Sequence, residues 1–410
     1  MKDSYDIAVV GAGAAGLAAA ARLRGERLEA VLLEARGRIG GRSWTIEPRP
    51  GLPVDLGCEW LHTTTRNVLA PLIDAAGLTV DRTTAYWQRR NDRIGISAAD
   101  ARAFGEAFAA LDARVEAQAA RGVEGPVSDL LEPGGRWTGL LNAGSSWYNG
   151  AEWDEVSVLD YAAYDDGGTN WRVREGYGAG IIAAAGPLTP VLDCPVTAID
   201  HGASPVRVAT AKGTLTARAV IIAVPTPHLA EGRLRLSPDL PGKTEAAAGL
   251  PLGLADKAFL GLARPELFPE EGHCFGRTDT EATASYFLRP FGRPYLEAYF
   301  GGRLAARLEG EGPGALTAFA IDELTRLLGA DLGRTLSPLA ESAWKTDPWA
   351  LGAYSHALPG RRDDRARLAA PVDGRLFFAG EATHPSFFST AHGAWESGVR
   401  AAEEALAAIG

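Results

Sequence analysis

Two apolar runs close to the amino terminus flank a segment of small residues, and this pattern predicts a strand, a helix and a second strand. The runs cover residues 7–10 and 30–33, and the alanine- and leucine-rich segment lies between them. A Gly-x-Gly-x-x-Gly turn at residues 11–16 joins the first run to the helix. A strand, such a turn, a helix and a second strand together form the unit that binds dinucleotides.

Each glycine of the turn has a physical role in that unit. Gly11 permits the tight change of direction, Gly13 lets the backbone approach a pyrophosphate, and Gly16 lets the helix lie close to the sheet. The helix begins near Ala14 and Ala15, whose N–H groups and helix dipole attract phosphates. The alternative is a glycine-rich turn of purely structural use, and the strand, helix and acid in register favour nucleotide binding.

The second run ends on Glu34, followed by Ala35. A carboxylate at this place accepts hydrogen bonds from a ribose diol and repels a 2′-phosphate, so NADP is disfavoured.

A basic loop follows the acid, with Arg36, Gly40, Gly41 and Arg42. We expect it to cross back over the pyrophosphate, where Arg42 would make a bidentate, charge-assisted contact. The alternative is an exposed basic turn.

Hydrophobic periodicity predicts further elements along the chain. Residues 54–62 form a strand that meets a polar, aromatic cluster, and residues 83–180 form a mainly helical layer. Strands at 191–199, 206–209 and 215–224 form a small antiparallel excursion that ends at Pro225. The other predictions are helices at 68–76, 100–121 and 313–328, strands at 254–262 and 295–300, a buried strand at 375–381 and a final helix to 408.

The chain therefore leaves the nucleotide domain twice and returns twice. We predict a discontinuous nucleotide domain of residues 1–82, 186–250 and 340–410, and a second domain of residues 83–185 and 251–339. The length of 410 residues suits two domains.

Composition narrows the partners and the compartment. A formal net charge of −10 argues against nucleic acid as the main partner. Cys58, Cys194 and Cys274 form neither a disulfide framework nor a metal-binding pattern, so we expect no metal and a reducing cytoplasm. The first strand begins too early for a secretion signal, and no apolar run is long enough for a bilayer, so we expect no membrane partner.

Three distant segments are predicted to meet at one cofactor: the front unit, the strand before Pro225 and the FAGEAT segment at 378–383. Gly380 and Glu381 come directly after a buried strand, where Glu381 could bind a ribityl or ribose hydroxyl. N–H groups near Thr390 and Ala391 could face an electron-rich ring edge. The alternative for Glu381 is a capping carboxylate.

Several motifs in the same order resemble the flavin-dependent amine oxidase family, which includes monoamine oxidases, polyamine oxidases and lysine-specific histone demethylases. The matching text is GAGAAGLAAAARL and LLEARGRIGGRSWT at the front, VDLGCEWLH at 54–62, PLGLADKAFL at 251–260, WKTDPWALGAYS at 344–355 and LFFAGEATHPSFFSTAHGAWESGVRAAEEAL at 376–406. The similarity is greatest to polyamine oxidases.

The resemblance implies an α/β fold, in which a Rossmann-like FAD-binding domain is interleaved with an α+β substrate-binding domain. It implies that an amine loses hydride to flavin N5, that the imine hydrolyses, and that O2 is reduced to H2O2. Ala353 stands where monoamine oxidases attach the flavin through cysteine, so FAD should be noncovalent. Further cofactor contacts are implied at Gly57, Cys58, Glu59, Trp60, Val196 and Trp344.

Lys257 matches the lysine that holds a water against flavin N5 in this family. It lies in an apolar run, and a desolvated lysine tends to lose its charge and can orient water. The alternative is an edge-strand lysine that faces solvent.

Three more residues match positions near the substrate. Tyr354 matches the aromatic that flanks the amine path, and Thr390 occupies the opposite wall. His62 matches a histidine beside the active site of several polyamine oxidases; its alternative is a packed, hydrogen-bonded histidine.

Departures from the family pattern leave the substrate open. Cys58 and Glu59 replace a small or polar pair, Thr63 replaces a glycine, and Glu175 interrupts a glycine pair. Glu59 could place an anion near the flavin or the substrate ammonium. A polyamine is the favoured substrate of this monomer or homodimer.

Other functions remain open at this stage. One is a flavin oxidoreductase on a non-amine, such as a desaturase. Another is an amino-acid oxidase, with Arg172 or Arg289 binding the carboxylate. A third is a flavin-binding scaffold or redox sensor without turnover.

Overall fold

The computed structural model describes residues 2–88 and 93–410. In these residues the strands are β1 (Ser4–Val10), β2 (Ala30–Leu33), β3 (Thr45–Arg49), β4 (Leu52–Asp55), β5 (Trp60–Leu61), β6 (Val80–Asp81), β7 (Arg93–Ile94), β8 (Trp171–Val173), β9 (Val196–Asp200), β10 (Val206–Thr210), β11 (Gly213–Ile222), β12 (Arg235–Ser237), β13 (Ala255–Leu262), β14 (Gly272–Phe275), β15 (Ser285–Leu288), β16 (Tyr295–Gly301), β17 (Leu336–Glu341) and β18 (Leu376–Phe378).

The α-helices of the same residues follow in chain order. They are α1 (Ala14–Leu23), α2 (Leu69–Ala75), α3 (Ala98–Ala120), α4 (Thr138–Asn149), α5 (Val158–Tyr161), α6 (Tyr177–Ala185), α7 (Thr226–Ala230), α8 (Pro241–Ala248), α9 (Gly302–Glu311), α10 (Ala315–Leu328), α11 (Ala330–Gly333), α12 (Asp364–Ala369) and α13 (Ala391–Ile409).

The first sheet carries the glycine turn. Its strand order is β12-β9-β10-β11-β1-β2, with β18 beside β11, and β1 runs parallel to both β2 and β11. Because successive side chains of β1 point to opposite faces, Ile7 and Val9 join one apolar core while Ala8 and Val10 join another. The predicted strand–helix–strand unit is confirmed.

Helices α1 and α13 pack together on one face of this sheet. Their contact is close because small residues line it: a Cβ at Gly398 would lie 2.0 Å from the carbonyl oxygen of Ala15. The last helix of the chain therefore lies directly against the first, which brings the start of α13 towards the glycine turn.

The middle strands correct one prediction. β9, β10 and β11 form an antiparallel meander as expected, but they are part of the first sheet and not an excursion from it. The meander begins at Val196; residue 191 makes only an isolated bridge to Leu33.

The second sheet has the order β17-β13-β16-β15-β14-β7. β13 lies between β16 and β17, both antiparallel to it, and every residue of β13 is buried. Helices α9 and α10 cover the sheet through Leu304, Leu308 and Leu324.

The predicted helix at 313–328 begins later, because Gly312 and Gly314 both have positive φ and end one helix before the next begins. Strands β14 and β15 were not predicted.

The predicted helical layer contains α3, α4 and α5 around a tryptophan-rich core. Helix α3 starts where Ser97 accepts a hydrogen bond from the Asp100 N–H, as an N-cap does. The layer also contains two short strands, β7 and β8. Among the described residues, no helix combines the length and the apolar character that crossing a membrane requires.

Candidate active site

The glycine turn lies at the carboxyl end of β1. Gly11 has a φ of +97°, and a Cβ there would lie 2.7 Å from the carbonyl oxygen of Ala223. A Cβ at Gly16 would lie 1.7 Å from the carbonyl oxygen of Gly11. Both positions therefore exclude any other residue on steric grounds.

The first turn of α1 is available to an anion. Gly13 is its N-cap residue, and no side chain caps this helix. N–H groups at an uncapped helix start, such as those of Ala14 and Ala15, are the donors that bind a pyrophosphate in this type of unit.

Glu34 is buried at the tip of β2, as predicted. Its carboxylate accepts hydrogen bonds from the N–H groups of Ala12 (2.7 Å) and Arg36 (2.9 Å). It thus ties the glycine turn to the basic loop. The backbone of Glu34 also accepts from the Cys194 N–H, so the segment before Val196 lies alongside the ribose position.

The basic loop folds back onto the glycine turn. Gly13 and Gly40 form a β-bridge, and a Cβ at Gly41 would lie 3.1 Å from the Cα of Gly13. Arg36 is mostly buried and pairs with Asp347 at 2.5 Å. An exposed basic turn, the alternative, does not occur.

Arg42 and Glu381 join the loop to the end of the chain. Nη1 of Arg42 donates to Oε1 of Glu381 (3.0 Å) and to the carbonyl oxygen of Ala353 (2.5 Å). Glu381 also accepts from Ser355 Oγ (2.6 Å) and the Ser389 N–H (3.0 Å). These three contacts fix Glu381, and Arg42 counters the effect of burial so that the pKa of Glu381 falls below the usual range.

A small cavity that is open to solvent lies beside this pair. Its walls include Pro225, Gly380 and Glu381, from two of the three segments that were predicted to converge, and Arg42 of the basic loop. The cavity lies at the ends of β11 and β18, on the same edge of the sheet as the glycine turn. An uncapped helix start, a bare glycine backbone and an arginine at one sheet edge fit a dinucleotide such as FAD.

Gly57 and Trp344 pack behind this edge. A Cβ at Gly57 would meet the carbonyl oxygen of Arg42 at 1.7 Å. The indole N–H of Trp344 donates to the carbonyl oxygen of Leu56 at 3.0 Å, and its ring is buried.

Cys58 and Trp60 take different surroundings. The Cys58 thiol contacts Ser43 Oγ at 3.3 Å, and burial raises its pKa to about 12, so it is a thiol and not a nucleophilic thiolate. The ring centroid of Trp60 lies 4.3 Å from that of Trp87, in an aromatic cluster that also contains Tyr86 and Phe287.

Lys257 differs from its prediction. It lies in the centre of the second sheet and not at an edge, so the solvent-facing alternative fails. Nζ lies 2.9 Å from Oε2 of Glu59 and 3.0 Å from Oε1 of Glu297. Burial disfavours the ammonium, but the two carboxyl groups outweigh it and raise the pKa of Lys257. The expectation that Lys257 tends to lose its charge is therefore wrong, because it assumed no anionic partner.

Tyr354 lies next to the Lys257 strand. Its hydroxyl donates to the carbonyl oxygen of Trp147 at 2.6 Å and lies 3.0 Å from the hydroxyl of Tyr299. Tyr299 is the residue directly opposite Lys257 in the β13–β16 pair. The structure thus brings Lys257 and Tyr354, 97 positions apart in the chain, to either side of one tyrosine.

Thr390 is the N-cap of α13. Its hydroxyl accepts from the Gly393 N–H (3.0 Å) and donates to the carbonyl oxygen of Phe387 (2.6 Å). The capping role leaves its methyl group as the part that can face a substrate, and Ala391 follows as the first residue of the helix.

His62 forms a hydrogen bond of 2.8 Å from Nδ1 to Oδ1 of Asn170. Burial lowers the pKa of its imidazole, which favours the neutral ring. The ring is therefore hydrogen-bonded, and its contact with a substrate stays a prediction.

Sequence reasoning missed Glu297 and Tyr299. The signal was present: Glu297 lies between Tyr295 and Tyr299 on one face of the apolar run YLEAYF. A carboxyl group inside such a strand requires a buried partner. Its partner is Lys257, which only the pairing of β13 with β16 reveals.

The chain is similar in sequence to known proteins and to family models over most of its length. Residues 120–406 match the family model of flavin-containing amine oxidoreductases, and residues 9–75 match that of an NAD(P)-binding Rossmann-like domain. The chain is 32% identical to polyamine oxidase 3 of Oryza sativa subsp. japonica over 97% of its length and 88% of that protein. It is 32% identical to polyamine oxidase 2 of Arabidopsis thaliana, over 98% and 88%.

A solved structure has the same fold. The chain superimposes on a putrescine oxidase variant with a TM-score of 0.78, at 22% identity, over 98% of this chain and 99% of that one. The family match, together with the two identities above 30%, covers most of the chain. The cofactor is FAD, held without a covalent bond, and the chain belongs to the flavin-containing amine oxidoreductases.

Proposed function

We propose that this protein oxidises a primary or secondary amine, with polyamines as the favoured class. The observation that carries the proposal is the placement of Lys257 and Tyr354 around Tyr299, in a region of the sheet that also contacts the cofactor segments through Glu59. The proposed domain division is that of the sequence: residues 1–82, 186–250 and 340–410 bind FAD, and the rest form the substrate domain.

The bound cofactor would supply the redox chemistry, by accepting a hydride at N5 from the amine α-carbon and passing two electrons to O2. The turn at residues 11–16, Glu34 and Arg42 would hold its nucleotide part. The N-terminus of α13 would stabilise negative charge on its ring. Lys257 would present N–H donors to a water or to oxygen at that ring.

The side chains near Tyr354 would orient the substrate. A neutral amine between Tyr354 and the methyl group of Thr390 would be held by packing, while an aromatic face tolerates a more distant ammonium group. The neutral His62 could accept a hydrogen bond from the amine through Nε2. No general base is required, because the amine enters in its neutral form. The imine would then hydrolyse in water, and O2 would leave as H2O2.

Two observations disfavour an amino-acid oxidase. Arg172 is already paired with Asp81 (3.1 Å) and Glu271 (2.6 Å), so its charge is balanced before any substrate carboxylate arrives. Arg289 pairs with Glu270 at 2.9 Å. Neither arginine is in position to serve as a free carboxylate anchor.

The relatives supply the choice of amine. The two plant relatives are polyamine oxidases by name, and the solved structure is of a putrescine oxidase. We extend this preference to the present chain, together with a cytoplasmic location and a monomeric or homodimeric state.

Anaerobic reduction of the bound flavin tests the proposal. The purified yellow protein is mixed without O2 with spermine, N-acetylspermine, putrescine, benzylamine or an amino acid, and the visible flavin band is followed. We expect rapid bleaching by a polyamine, and H2O2 when O2 is readmitted. A flavin that no amine bleaches would exclude the proposed activity and favour the non-amine oxidoreductase or the sensor.

A further inference from the structure

Two buried carboxyl groups contact Nζ of Lys257. Glu59 and Glu297 lie 2.9 Å and 3.0 Å from this nitrogen, and the exposed fractions of the three side chains are 6% for Lys257, 11% for Glu59 and 8% for Glu297. We call Glu59, Lys257 and Glu297 the buried triad. It joins the loop after β4 to the centre of the second sheet.

Charge balance limits the protonation of the buried triad. Two carboxylates and one ammonium would leave a net negative charge in a low-dielectric interior, which is costly. One shared proton makes the group neutral. The electrostatics agree in direction: although burial opposes ionisation of both carboxyls, Lys257 holds the pKa of Glu59 below its usual value, while burial and Glu59 raise the pKa of Glu297.

A small cavity that is open to solvent reaches the two carboxyl groups. Its walls include Asp55, Glu59, Arg293 and Glu297, but not Lys257. The carboxyl pair therefore lies between this cavity and the lysine. The other titratable groups that face the buried triad are Asp55, Cys58, Tyr86, Arg172, Tyr295, Tyr299 and Tyr354.

We propose that Glu59 and Glu297 are positioning residues that share one proton and hold Lys257 as an ammonium, so that Lys257 donates a proton at the cofactor. The proposal rests on the proposed function, because it needs Lys257 to face the flavin. Lys257 would then be a proton donor and not a neutral base, and the carboxyl pair would reload it.

The proton balance of flavin reoxidation requires one proton donor besides the cofactor. Reduction of O2 to H2O2 takes two electrons and two protons, and bound, reduced FAD would supply both electrons and one of the protons. The second proton comes from Nζ: an N–H bond breaks and an O–H bond of the peroxide forms. The proton held by Glu59 and Glu297 moves to Nζ as this N–H bond breaks, and solvent in the cavity then returns one proton to the pair.

The charge of Lys257 can be measured without turnover. The chain has five lysines, so ¹³Cε-labelled lysine gives few NMR signals, and Lys257→Met assigns the relevant one. In the wild-type holoprotein we expect this signal to stay in the ammonium position up to the ordinary lysine pKa of about 10.4. In the Glu59→Gln/Glu297→Gln double variant we expect its midpoint to fall by at least about two pH units, because desolvation is no longer offset.

The single variants keep the test readable if the double variant does not fold. One remaining carboxylate balances Lys257, so the ammonium signal should persist in Glu59→Gln and in Glu297→Gln, while the shared proton is lost. Dithionite-reduced holoprotein mixed with O2 should then reoxidise at least about tenfold more slowly above neutral pH in each single variant. Glu323→Gln, which removes a buried carboxyl group from α10, is the matched control and should change neither result.

Two outcomes would overturn the inference: a neutral Lys257 in the wild type near pH 7, or an unchanged lysine midpoint in the double variant. An unchanged rate of reoxidation in the single variants would show that Glu59 and Glu297 do not supply the proton. None of these measurements uses an amine. If the protein failed to oxidise amines, these measurements would still determine the protonation state of Lys257. A neutral Lys257 in a protein that oxidises amines would refute only this inference.

Discussion

The glycine turn at residues 11–16 and the buried triad are built in two different ways. The turn is local: its residues are neighbours in the chain, and steric contacts of 1.7 Å and 2.7 Å would follow from any Cβ at Gly16 or Gly11. The triad is assembled from residues 59, 257 and 297, which meet only after the second sheet has formed. Local backbone geometry specifies the first, and balanced charge specifies the second.

This difference predicts how each region fails. A change in the turn introduces a clash that no neighbouring side chain can relieve, because backbone atoms lie on both sides. A change in the buried triad leaves a charge without its partner, and protonation can relieve part of that cost. The turn should therefore be intolerant of substitution, and the triad should respond to pH.

The largest effect is expected from Gly16→Ala. Its Cβ would lie 1.7 Å from the carbonyl oxygen of Gly11, so the start of α1 must move away from β1. We expect protein that is purified without yellow flavin, or that does not fold, as measured by absorbance and circular dichroism. Gly105→Ala in α3 is the matched control, because nothing lies within 4 Å of that Cβ; a yellow, stable Gly16→Ala protein would contradict the steric reading.

The next effect is expected from Lys257→Met. Loss of a buried cation leaves two carboxyl groups without a partner, at a cost of about 3–5 kcal/mol in the free energy of unfolding, less what added protonation recovers. Urea unfolding would measure it. FAD should remain bound, because Lys257 belongs to the second sheet. The destabilisation should shrink towards low pH, and equal loss at every pH would argue against the carboxyl groups as its cause.

A smaller effect is expected from Arg42→Ala. Arg42 pairs with the buried Glu381 at 3.0 Å and lines the cavity beside it. Removal of this charge should weaken FAD binding by about tenfold or more, in line with charge-assisted hydrogen bonds of about 1.5–3 kcal/mol. Titration of apoprotein with FAD would measure the change. Arg326→Ala, at an exposed salt bridge on α10, provides a control that should bind FAD normally.

The smallest effect is expected from a change at His392. This residue is also a buried base, but its pKa is lowered whereas that of Lys257 is raised. Neither ring nitrogen has a hydrogen-bond partner among the described residues, and burial lowers its pKa to about 3. In the unfolded chain the imidazole of His392 takes up a proton below the ordinary histidine pKa of about 6.5, while in the folded chain it does not. Stability from this group is therefore present above about pH 6.5 and is lost as the pH falls towards 3.

Thermal unfolding between about pH 4 and 7 would test this dependence. His392→Gln cannot gain that proton, so its melting temperature should fall less steeply with acidification than that of the wild type. If the melting temperatures of the two proteins fell equally with pH, another group would be responsible for the loss of stability in acid.

The sequence was sufficient for features that depend on local order. The βαβ unit, α2, α3 and the final helix were predicted within a few residues, because periodicity and turn residues determine them. The convergence of Pro225 with Gly380 and Glu381 also followed, because each lies just after a buried strand at one edge of the sheet.

The rest depended on pairing that no local pattern contains. Lys257 was expected to lose its charge, since its own strand is apolar; the register of β16 then supplied Glu297, and the loop after β4 supplied Glu59. Thr390 was expected in a cavity wall, but the geometry of α13 uses its hydroxyl as a cap. The roles of these residues towards FAD stay predictions.

A crystal structure of the FAD-bound protein would test most directly whether the two regions serve one cofactor. We predict that the pyrophosphate lies on the start of α1 between Gly13 and Arg42, and that flavin N5 faces Nζ of Lys257, directly or through one water. A flavin ring whose N5 edge points away from Lys257, with Tyr354 outside the substrate path, would contradict the single shared site.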